Sequence, residues 1–316
     1  CISIFTILPF SIKADNIKTV QKGKNDIIIN ENTYYKLSFT NIISSFNYDE
    51  IKIEENTYTR LSIEGYGSNF IQGEPKLPVL YKLIEIPVGA TININVNTNY
   101  YTDYDLKTIG IYNVIYPVQP PVIKSNTDKN PFIINKDIYS RDAFTTDELV
   151  KVEYLGTMRG KNLGRLAISP FQYNPVKGIL RVYHKIDASI NFVDADINKT
   201  IEQNKLNLSP YFNNINEKIF NKKISLGTKE NIVKTPVKYV IVSPVAYQVT
   251  LQPFIEWKTK KGFIVIEAYT NDPQVGNTNV SIKNYLKNLY NAGTPNDPPP
   301  SFVLLVGDID QIPSFN

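Results

Sequence analysis

The sequence contains very few of the side chains that carry nucleophilic chemistry. Its 316 residues include one cysteine, Cys1, and one histidine, His184. A single cysteine excludes an intramolecular disulfide, and these two residues do not assemble a convincing Cys–His or Ser–His–Asp machinery. His184 lies on the apolar side of an alternating strand, so we interpret it as a packed structural histidine rather than a general base or metal ligand.

The sequence also lacks a large excess of charge of one sign. It has 34 Lys and Arg residues against 30 Asp and Glu residues. This balance gives no reason to expect nucleic acid or a membrane surface as a partner.

The apolar start, residues 1–10, is too short to span a bilayer as a helix. We interpret residues 1–14 as the remnant of a secretory leader cleaved near Ala14, with a buried N-terminal strand as the alternative.

Glycine is missing where a nucleotide site would need it. The first strand-to-helix turn of the C-terminal region, residues 243–248, reads Ser-Pro-Val-Ala-Tyr-Gln. Without glycine the backbone cannot approach a pyrophosphate closely, so we set a dinucleotide site aside.

Residues 15–193 contain abundant β-forming residues separated by turn residues. The predicted strands are 35–43, 57–63, 77–86, 91–96 and 107–114. Their spacing favours an all-β domain, an antiparallel sandwich or barrel-like fold. The turn at 174–178 predicts a hairpin between 166–173 and 179–193, and the proline-rich stretch 116–121 predicts an extended crossing segment.

Residues 194–235 are rich in Asn and Lys, and we interpret them as an exposed linker with one short helix around 211–220. The linker contains lysines but no arginine. We expect activation cleavage here. Trypsin should first cut at one of its later lysines, which are Lys222, Lys223, Lys229 and Lys234.

Residues 236–316 predict a partial α/β domain in the order β-α-β-α-β. The strands are expected at 239–242, 263–268 and 302–306. The helices are expected to be capped by Thr250 and Ser281 and to end at Gly262 and Gly293. This order implies a parallel sheet with crossover helices.

The last predicted strand runs into Gly307 and Asp308, followed by Asp310. Open α/β sheets bind ligands at the carboxyl ends of their strands, so Asp308 is the candidate site residue. Asp308 and Asp310 could form an acid pair or a partial set of calcium ligands. The alternative is that Asp308 caps the next turn and Asp310 is solvated.

Several motifs, in their order and spacing, resemble precursors of gingipain-type cysteine peptidases. In the C-terminal region they are 239–243, 254–258, 261–262, 303–308 and 312–313. Upstream they are 73–79, 86–90, 116–120, 159–160, 170–175 and Gly178. The resemblance implies a zymogen with a leader remnant (1–14), a β-rich propeptide domain (15–193), a linker (194–235) and the start of a caspase-like peptidase domain (236–316).

The resemblance also implies what such a precursor would do. The prodomain would pack on its own peptidase domain as inhibitor and folding aid, with an exposed basic side chain such as Arg159 in the specificity pocket. The enzyme would be a bacterial protein, exported by the type IX machinery to the exterior or the cell surface, and would cleave protein or peptide substrates. Its catalytic His and Cys are expected beyond Asn316, which leaves this fragment inactive. Asp308 corresponds to a residue of the family's structural calcium site.

A second hypothesis remains open. The β-rich region could be a secreted or cell-surface module that binds carbohydrate or protein, with the α/β segment as a degenerate appendage without enzymatic activity.

Overall fold

The computed structural model describes residues 16–121, 131–145, 148–223 and 236–315. The chain divides into two compact units. The first unit takes the chain up to Lys82 together with Ile92–Glu153 and Arg165–Val193, and the second takes Leu83–Thr91, Tyr154–Gly164 and the chain from Asp194 onwards. The predicted leader at 1–14 lies outside the described residues.

Twelve strands are described between residues 16 and 193. They are β1 (Asn16–Thr19), β2 (Asp26–Asn32), β3 (Lys36–Ile42), β4 (Ser45–Ile53), β5 (Asn56–Ser62), β6 (Gly67–Ser68), β7 (Pro78–Ile86), β8 (Thr91–Asp105), β9 (Val150–Met158), β10 (Lys161–Ile168), β11 (Phe171–Asn174) and β12 (Ile179–Val193). They form sheets in the orders β1-β4-β5, β6-β7-β10-β9 and β11-β12-β3-β2, with β8 paired to β12. The predicted antiparallel β character of this stretch is confirmed.

Strand β12 shows why the alternating pattern of apolar residues folds this way. Ile186, Ala188 and Ile190 are buried, while the residues between them face the more exposed side. Antiparallel pairing with β3 places Ala188 opposite the fully buried Phe39. His184 is half-buried on this strand, and its carbonyl oxygen accepts hydrogen bonds from the backbone of Ile43 and from a side-chain amide. These contacts involve the main chain of His184, so the structural role of its imidazole stays a prediction.

Three details of the β-rich region differ from the predictions. The hairpin at 174–178 joins β11 to β12, but Leu166 belongs to β10 rather than to the hairpin. The strand predicted at 107–114 is wrong, because Leu106–Ile109 is a 3₁₀ turn capped by the Asp105 side chain. A four-residue helix, α1 (Lys136–Tyr139), was not predicted. In agreement with the predicted crossing segment, residues 116–118 join no named strand but cross residues 73–76 through backbone hydrogen bonds and an isolated bridge between Pro117 and Pro75.

The stretch predicted as a linker contains more structure than one short helix. Residues Ile197–Leu206 form α2, Pro210–Phe212 a 3₁₀ turn and Asn213–Glu217 α3. Helix α2 begins where it does because the Asp196 side chain accepts a hydrogen bond from the backbone N–H of Lys199 at 2.9 Å. Buried side chains follow along the segment, among them Thr200, Ser209 and Ile219. The description of residues 194–223 as an exposed linker is therefore wrong.

These linker residues are fixed to the end of β7 by main-chain and side-chain hydrogen bonds. The Phe220 N–H donates to the Leu83 carbonyl at 2.7 Å. The Asn221 carboxamide accepts from the Glu85 N–H and donates to the Glu85 carbonyl, both at 2.8 Å. The Asn221 side chain thereby makes the main-chain hydrogen bonds to Glu85 that a neighbouring strand would otherwise make. Lys222 and Lys223 lie at the end of this packed segment, whereas Lys229 and Lys234 are outside the described residues.

The C-terminal region has the predicted order of elements. It contains β13 (Val237–Ser243), α4 (Gln248–Lys260), β14 (Phe263–Tyr269), α5 (Asn279–Asn291) and β15 (Phe302–Leu305). The strands form a parallel sheet in the order β14-β13-β15. Its core packs Val240, Val242 and Ala268 against Ile282 and Ile312.

The predicted ends of the two helices need correction. Helix α4 begins two residues before Thr250, directly after a 3₁₀ turn. Helix α5 is capped by Thr278, and Ser281 is the reciprocal partner in a capping box rather than the cap itself. Gly262 ends α4 as expected, with a φ of 89° that favours glycine. None of the helices in the described part of the chain is long and apolar enough to cross a membrane.

Candidate functional site

Asp308 lies in the turn that follows β15, at the carboxyl edge of the parallel sheet. Its carboxylate oxygen Oδ1 accepts a hydrogen bond from the Ile309 N–H at 2.7 Å. Its carbonyl oxygen accepts from the N–H groups of Gln311 and Ile312, at 2.9 and 2.8 Å. The side chain therefore organises the turn, as the capping alternative expected.

The turn is held in place by one side chain from the same loop. The Gln311 Oε1 atom accepts from the Asp308 N–H at 3.0 Å, and the Gln311 amide also contacts the Tyr247 hydroxyl after β13. Gly307 has a φ of 137°, and a Cβ there would come within 3.0 Å of Gln311 Oε1. Only glycine fits both requirements, because L-residues rarely adopt this backbone conformation. Gly307 is thus required by the geometry of the loop.

The residues around Asp308 do not make a complete calcium site. Asp308 and Asp310 are both exposed. Among the described residues, no group of three or more His, Cys, Asp or Glu side chains is close enough to hold a metal ion. Calcium takes six to eight oxygen ligands, so two carboxylates could supply only part of a set. The residues present do not by themselves fit the ion.

A second polar site surrounds Arg159 in the tight turn between β9 and β10. Arg159 has a φ of 50°, and its guanidinium lies 4.1 Å from the centre of the Phe212 ring. It donates hydrogen bonds to the Asn207 carbonyl at 3.3 Å and to Ser301 Oγ at 3.5 Å. Burial lowers the pKa of Arg159 below its usual value. The expectation of an exposed arginine is wrong, because residues 207–212 fold back over the turn.

Gly160 allows this close approach. It has a φ of 74°, and a Cβ there would lie 2.5 Å from Asn207 Nδ2 and 2.8 Å from the Gln203 carbonyl oxygen. The Asn207 side chain cannot easily move away, since its Nδ2 donates to Gln203 and its Oδ1 accepts from the Tyr290 hydroxyl at 2.8 Å. The Arg159-Gly160 turn and Asn207 are therefore fitted to each other.

A cavity of about 100 Å³ lies beside the Arg159 turn. Three buried polar atoms of its lining residues have no hydrogen-bond partner within the described ranges: Arg159 Nε, Asn204 Oδ1 and Ser209 Oγ. The set mixes donors and acceptors, and the volume exceeds the room that one water molecule needs. The cavity has room for water molecules that would bond to these atoms.

The two regions of the chain match two linked protein families. Residues 20–224 match Propeptide_C25, which is more than half of the chain, and residues 232–316 match Peptidase family C25. The chain belongs to the C25 propeptide family. The C25 propeptide is followed here by the start of a C25 peptidase domain.

Known relatives of this C25 propeptide are gingipains. Lys-gingipain from Porphyromonas gingivalis is 36% identical over 241 residues, which is 76% of this chain and 14% of the relative. The chain thus spans about one seventh of the length of that curated relative. The gingipain resemblance of the sequence motifs is confirmed.

Two solved structures share the fold of the propeptide. A structure describing the zymogenic latency of gingipain K from P. gingivalis aligns with a TM-score of 0.53 and 29% identity, over 58% of this chain and all of that chain. A complex of the pro- and mature domains of RgpB aligns with a TM-score of 0.50 and 15% identity, over 62% of this chain and 98% of that chain. The second similarity concerns the fold alone.

The sites that the structure assembles only partly coincide with the predicted ones. Asp308 lies at the predicted carboxyl edge, whereas Arg159 lies in a half-buried turn. Sequence reasoning missed Asn207, Phe212 and Glu85. The sequence did contain one signal for this contact. A glycine in a tight turn, here Gly160, indicates a positive φ and a close neighbour. The identity of that neighbour could not be inferred, since it is a non-local contact.

Proposed function

We propose that this chain is the propeptide and the opening of the peptidase domain of a secreted cysteine-type endopeptidase, and that the propeptide keeps the peptidase latent. The observation that carries the proposal is the packing of propeptide residues on the peptidase region inside one compact unit. Tyr211 stacks on Phe263 with ring centres 5.1 Å apart, and Arg159 reaches Ser301. Such contacts suit an inhibitor and folding aid built into the precursor.

The parallel sheet and its crossover helices support a caspase-like architecture for the complete peptidase domain. In that proposal the catalytic cysteine and histidine belong to parts of the domain outside this sequence. The only histidine here is the half-buried His184 of β12. Export to the cell surface or beyond through the type IX machinery, after removal of residues 1–14, completes the proposal.

We further propose that the enzyme cleaves protein or peptide substrates after lysine. Two observations support this side-chain preference. The 36%-identical relative is named Lys-gingipain. Between residues 194 and 235 the chain contains lysines and no arginine, so an Arg-specific enzyme could not cut its own linker at a basic residue. Lysine and arginine differ in shape and hydrogen bonding, so a pocket can be built to accept one and reject the other.

The test of this function is an assay of the complete precursor before and after linker cleavage. We expect hydrolysis of peptidyl-lysine substrates to appear only after cleavage, to exceed hydrolysis of peptidyl-arginine substrates by roughly tenfold or more, and to be abolished by thiol alkylation. A cleaved precursor without thiol-dependent hydrolysis would favour a non-enzymatic surface module. A preference for arginine would overturn only the proposed specificity.

We also propose that Asp308 contributes one carboxylate to a structural calcium site completed by ligands outside this sequence. In the complete precursor, calcium chelation should lower the unfolding temperature by several degrees, because calcium stabilises the state that binds it. Asp308→Asn keeps the oxygen that accepts from Ile309 but loses the charge, so chelation should no longer change the unfolding temperature. The exposed Asp297→Asn serves as control. An unchanged chelation effect in Asp308→Asn would remove Asp308 from the site.

A further inference from the structure

The described end of the propeptide match, residues 219–223, covers an open edge of β7. Strand β6 is two residues long and pairs with the first two residues of β7. Further along β7, Ile219 makes a parallel bridge to Leu83, and the Phe220 N–H donates to the Leu83 carbonyl at 2.7 Å. The segment thus adds a short strand-like piece to an edge that would otherwise expose main-chain groups.

Asn221 extends this attachment to the next outward-facing residue of β7. Its carboxamide accepts from the Glu85 N–H and donates to the Glu85 carbonyl, both at 2.8 Å. Asn221 is 1% exposed and Ile219 is 4% exposed, so the contacts lie away from water. Breaking them while the groups stay buried would carry the full desolvation cost of each group. We call residues 219–223 the latch.

The latch holds its main chain in a turn. The Ile219 carbonyl accepts from the Lys222 N–H at 3.1 Å, and the Ile219 N–H donates to the Asn216 carbonyl at 3.3 Å. A protease binds the residues before the cut bond as an extended strand, through hydrogen bonds to their main chain. A cut after Lys222 or Lys223 therefore requires residues 220–222 to leave both the turn and β7.

The Lys223 side chain is also withdrawn from solvent. It is half-buried, and burial lowers its pKa to about 8, while the charge of Glu85 acts in the opposite direction. The Glu85 carboxylate already pairs with Lys161 at 3.2 Å and accepts from Asn204 at 2.7 Å. A lysine-binding pocket must take up the whole side chain, so Lys223 has to leave this site before the bond after it is cut. The side chain of Lys222 is exposed, and this residue is shielded through its main chain.

We propose that the latch controls processing: it shields the bonds after Lys222 and Lys223 from proteases until residues 219–223 leave β7. The rate of cutting at these two lysines then follows the fraction of molecules with an open latch. This inference adds a regulatory step to the proposed activation by linker cleavage and rests on it. The shielding is measured with an added protease, so its failure is distinguishable from a failure of the proposed peptidase activity.

The experiment compares trypsin cleavage of the folded 316-residue chain with cleavage of a synthetic peptide of residues 216–228. Mass spectrometry gives the rate of cutting after Lys222 and Lys223 in each. We expect cutting to be slower in the chain by roughly 100-fold or more, because the closed latch is not a substrate. Asn221→Ala removes both hydrogen bonds to Glu85 and should raise the rate in the chain by roughly 10- to 100-fold.

Asn221→Asp separates the two hydrogen bonds. An aspartate oxygen can still accept from the Glu85 N–H, but its second oxygen faces the Glu85 carbonyl without a proton to donate. The rate of cutting after Lys222 and Lys223 should therefore rise in this variant as well. This result would assign part of the shielding to the bond that Asn221 donates.

Two controls show whether the effect is local. Asn214→Ala removes an exposed asparagine of α3 and should leave all rates unchanged. Cutting after Lys238, which lies in β13 of the same unit, reports unfolding of the whole unit and should stay at the parent rate. Equal rates in peptide and parent chain, or unchanged rates in both Asn221 variants, would overturn the proposal. If the variants unfold the unit, hydrogen exchange of the Phe220 N–H in the parent chain decides instead. Exchange there as fast as in the peptide would equally overturn it.

Discussion

Replacement of Glu85 by alanine is expected to lower the free energy of unfolding of the second unit by about 3–5 kcal/mol. Glu85 is the acceptor at which three segments of that unit meet. Its carboxylate pairs with Lys161 at 3.2 Å and accepts from Asn204 Nδ2 at 2.7 Å. The Glu85 and Lys161 side chains are only 11% and 17% exposed. Removal of the carboxylate leaves the buried ammonium group of Lys161 without its anionic partner, and a buried charge that loses its partner is strongly destabilising.

The second unit has its own spectroscopic probe. Trp257 is the only tryptophan of the chain and lies in α4. Its fluorescence during urea unfolding therefore follows this unit. The exposed pair of Lys260 and Glu256 provides the control, because Glu256→Ala should cost less than about 1 kcal/mol.

A double variant separates the loss of the ion pair from the loss of packing. Adding Lys161→Met to Glu85→Ala removes the unpaired ammonium group and should restore part of the lost stability. If the double variant is as unstable as the sum of the two single variants, the cost of Glu85→Ala does not come from the stranded charge. A loss below about 1 kcal/mol for Glu85→Ala would show that Lys161 reaches water after the change.

Sequence patterns predicted the elements whose cause is local or periodic. The predicted alternation in β12 and the predicted β-α-β-α-β order are confirmed. Burial of one face of a strand or helix gives its apolar residues a regular spacing in the sequence, and that spacing identifies the element. The 3₁₀ turn after β8 was missed because a few apolar residues between 107 and 114 resemble a short strand. The deciding contact is the cap by Asp105, which competes locally with strand pairing.

The contacts around Arg159 and those that fix residues 219–221 to β7 could not be predicted in the same way. Asn221 and Glu85 are 136 residues apart, and Arg159 and Ser301 are 142 residues apart. The Asn-rich composition of 194–223 suggested an exposed linker, because asparagine usually hydrogen-bonds to water. Here buried asparagines such as Asn207 and Asn221 bond to main-chain groups instead. Composition indicates polarity, but it does not identify the partner.

Replacement of Gly160 by alanine tests the fit of the Arg159 turn to Asn207. The change should lower the free energy of unfolding of the second unit by about 2–4 kcal/mol, from backbone strain and overpacking together. The added Cβ would lie 2.5 Å from Asn207 Nδ2, an atom already held by its hydrogen bond to Gln203. Trp257 fluorescence in urea again provides the measurement.

Gly89 provides a control with the same backbone conformation in the same unit. Its φ is also 74°, but a Cβ there would meet nothing closer than the Asp194 carbonyl oxygen at 3.5 Å. Gly89→Ala should therefore cost only the conformational penalty, about 1–2 kcal/mol. The difference between the two variants measures the clash with Asn207. Equal losses would mean that the Arg159 turn is not closely packed against residues 203–207.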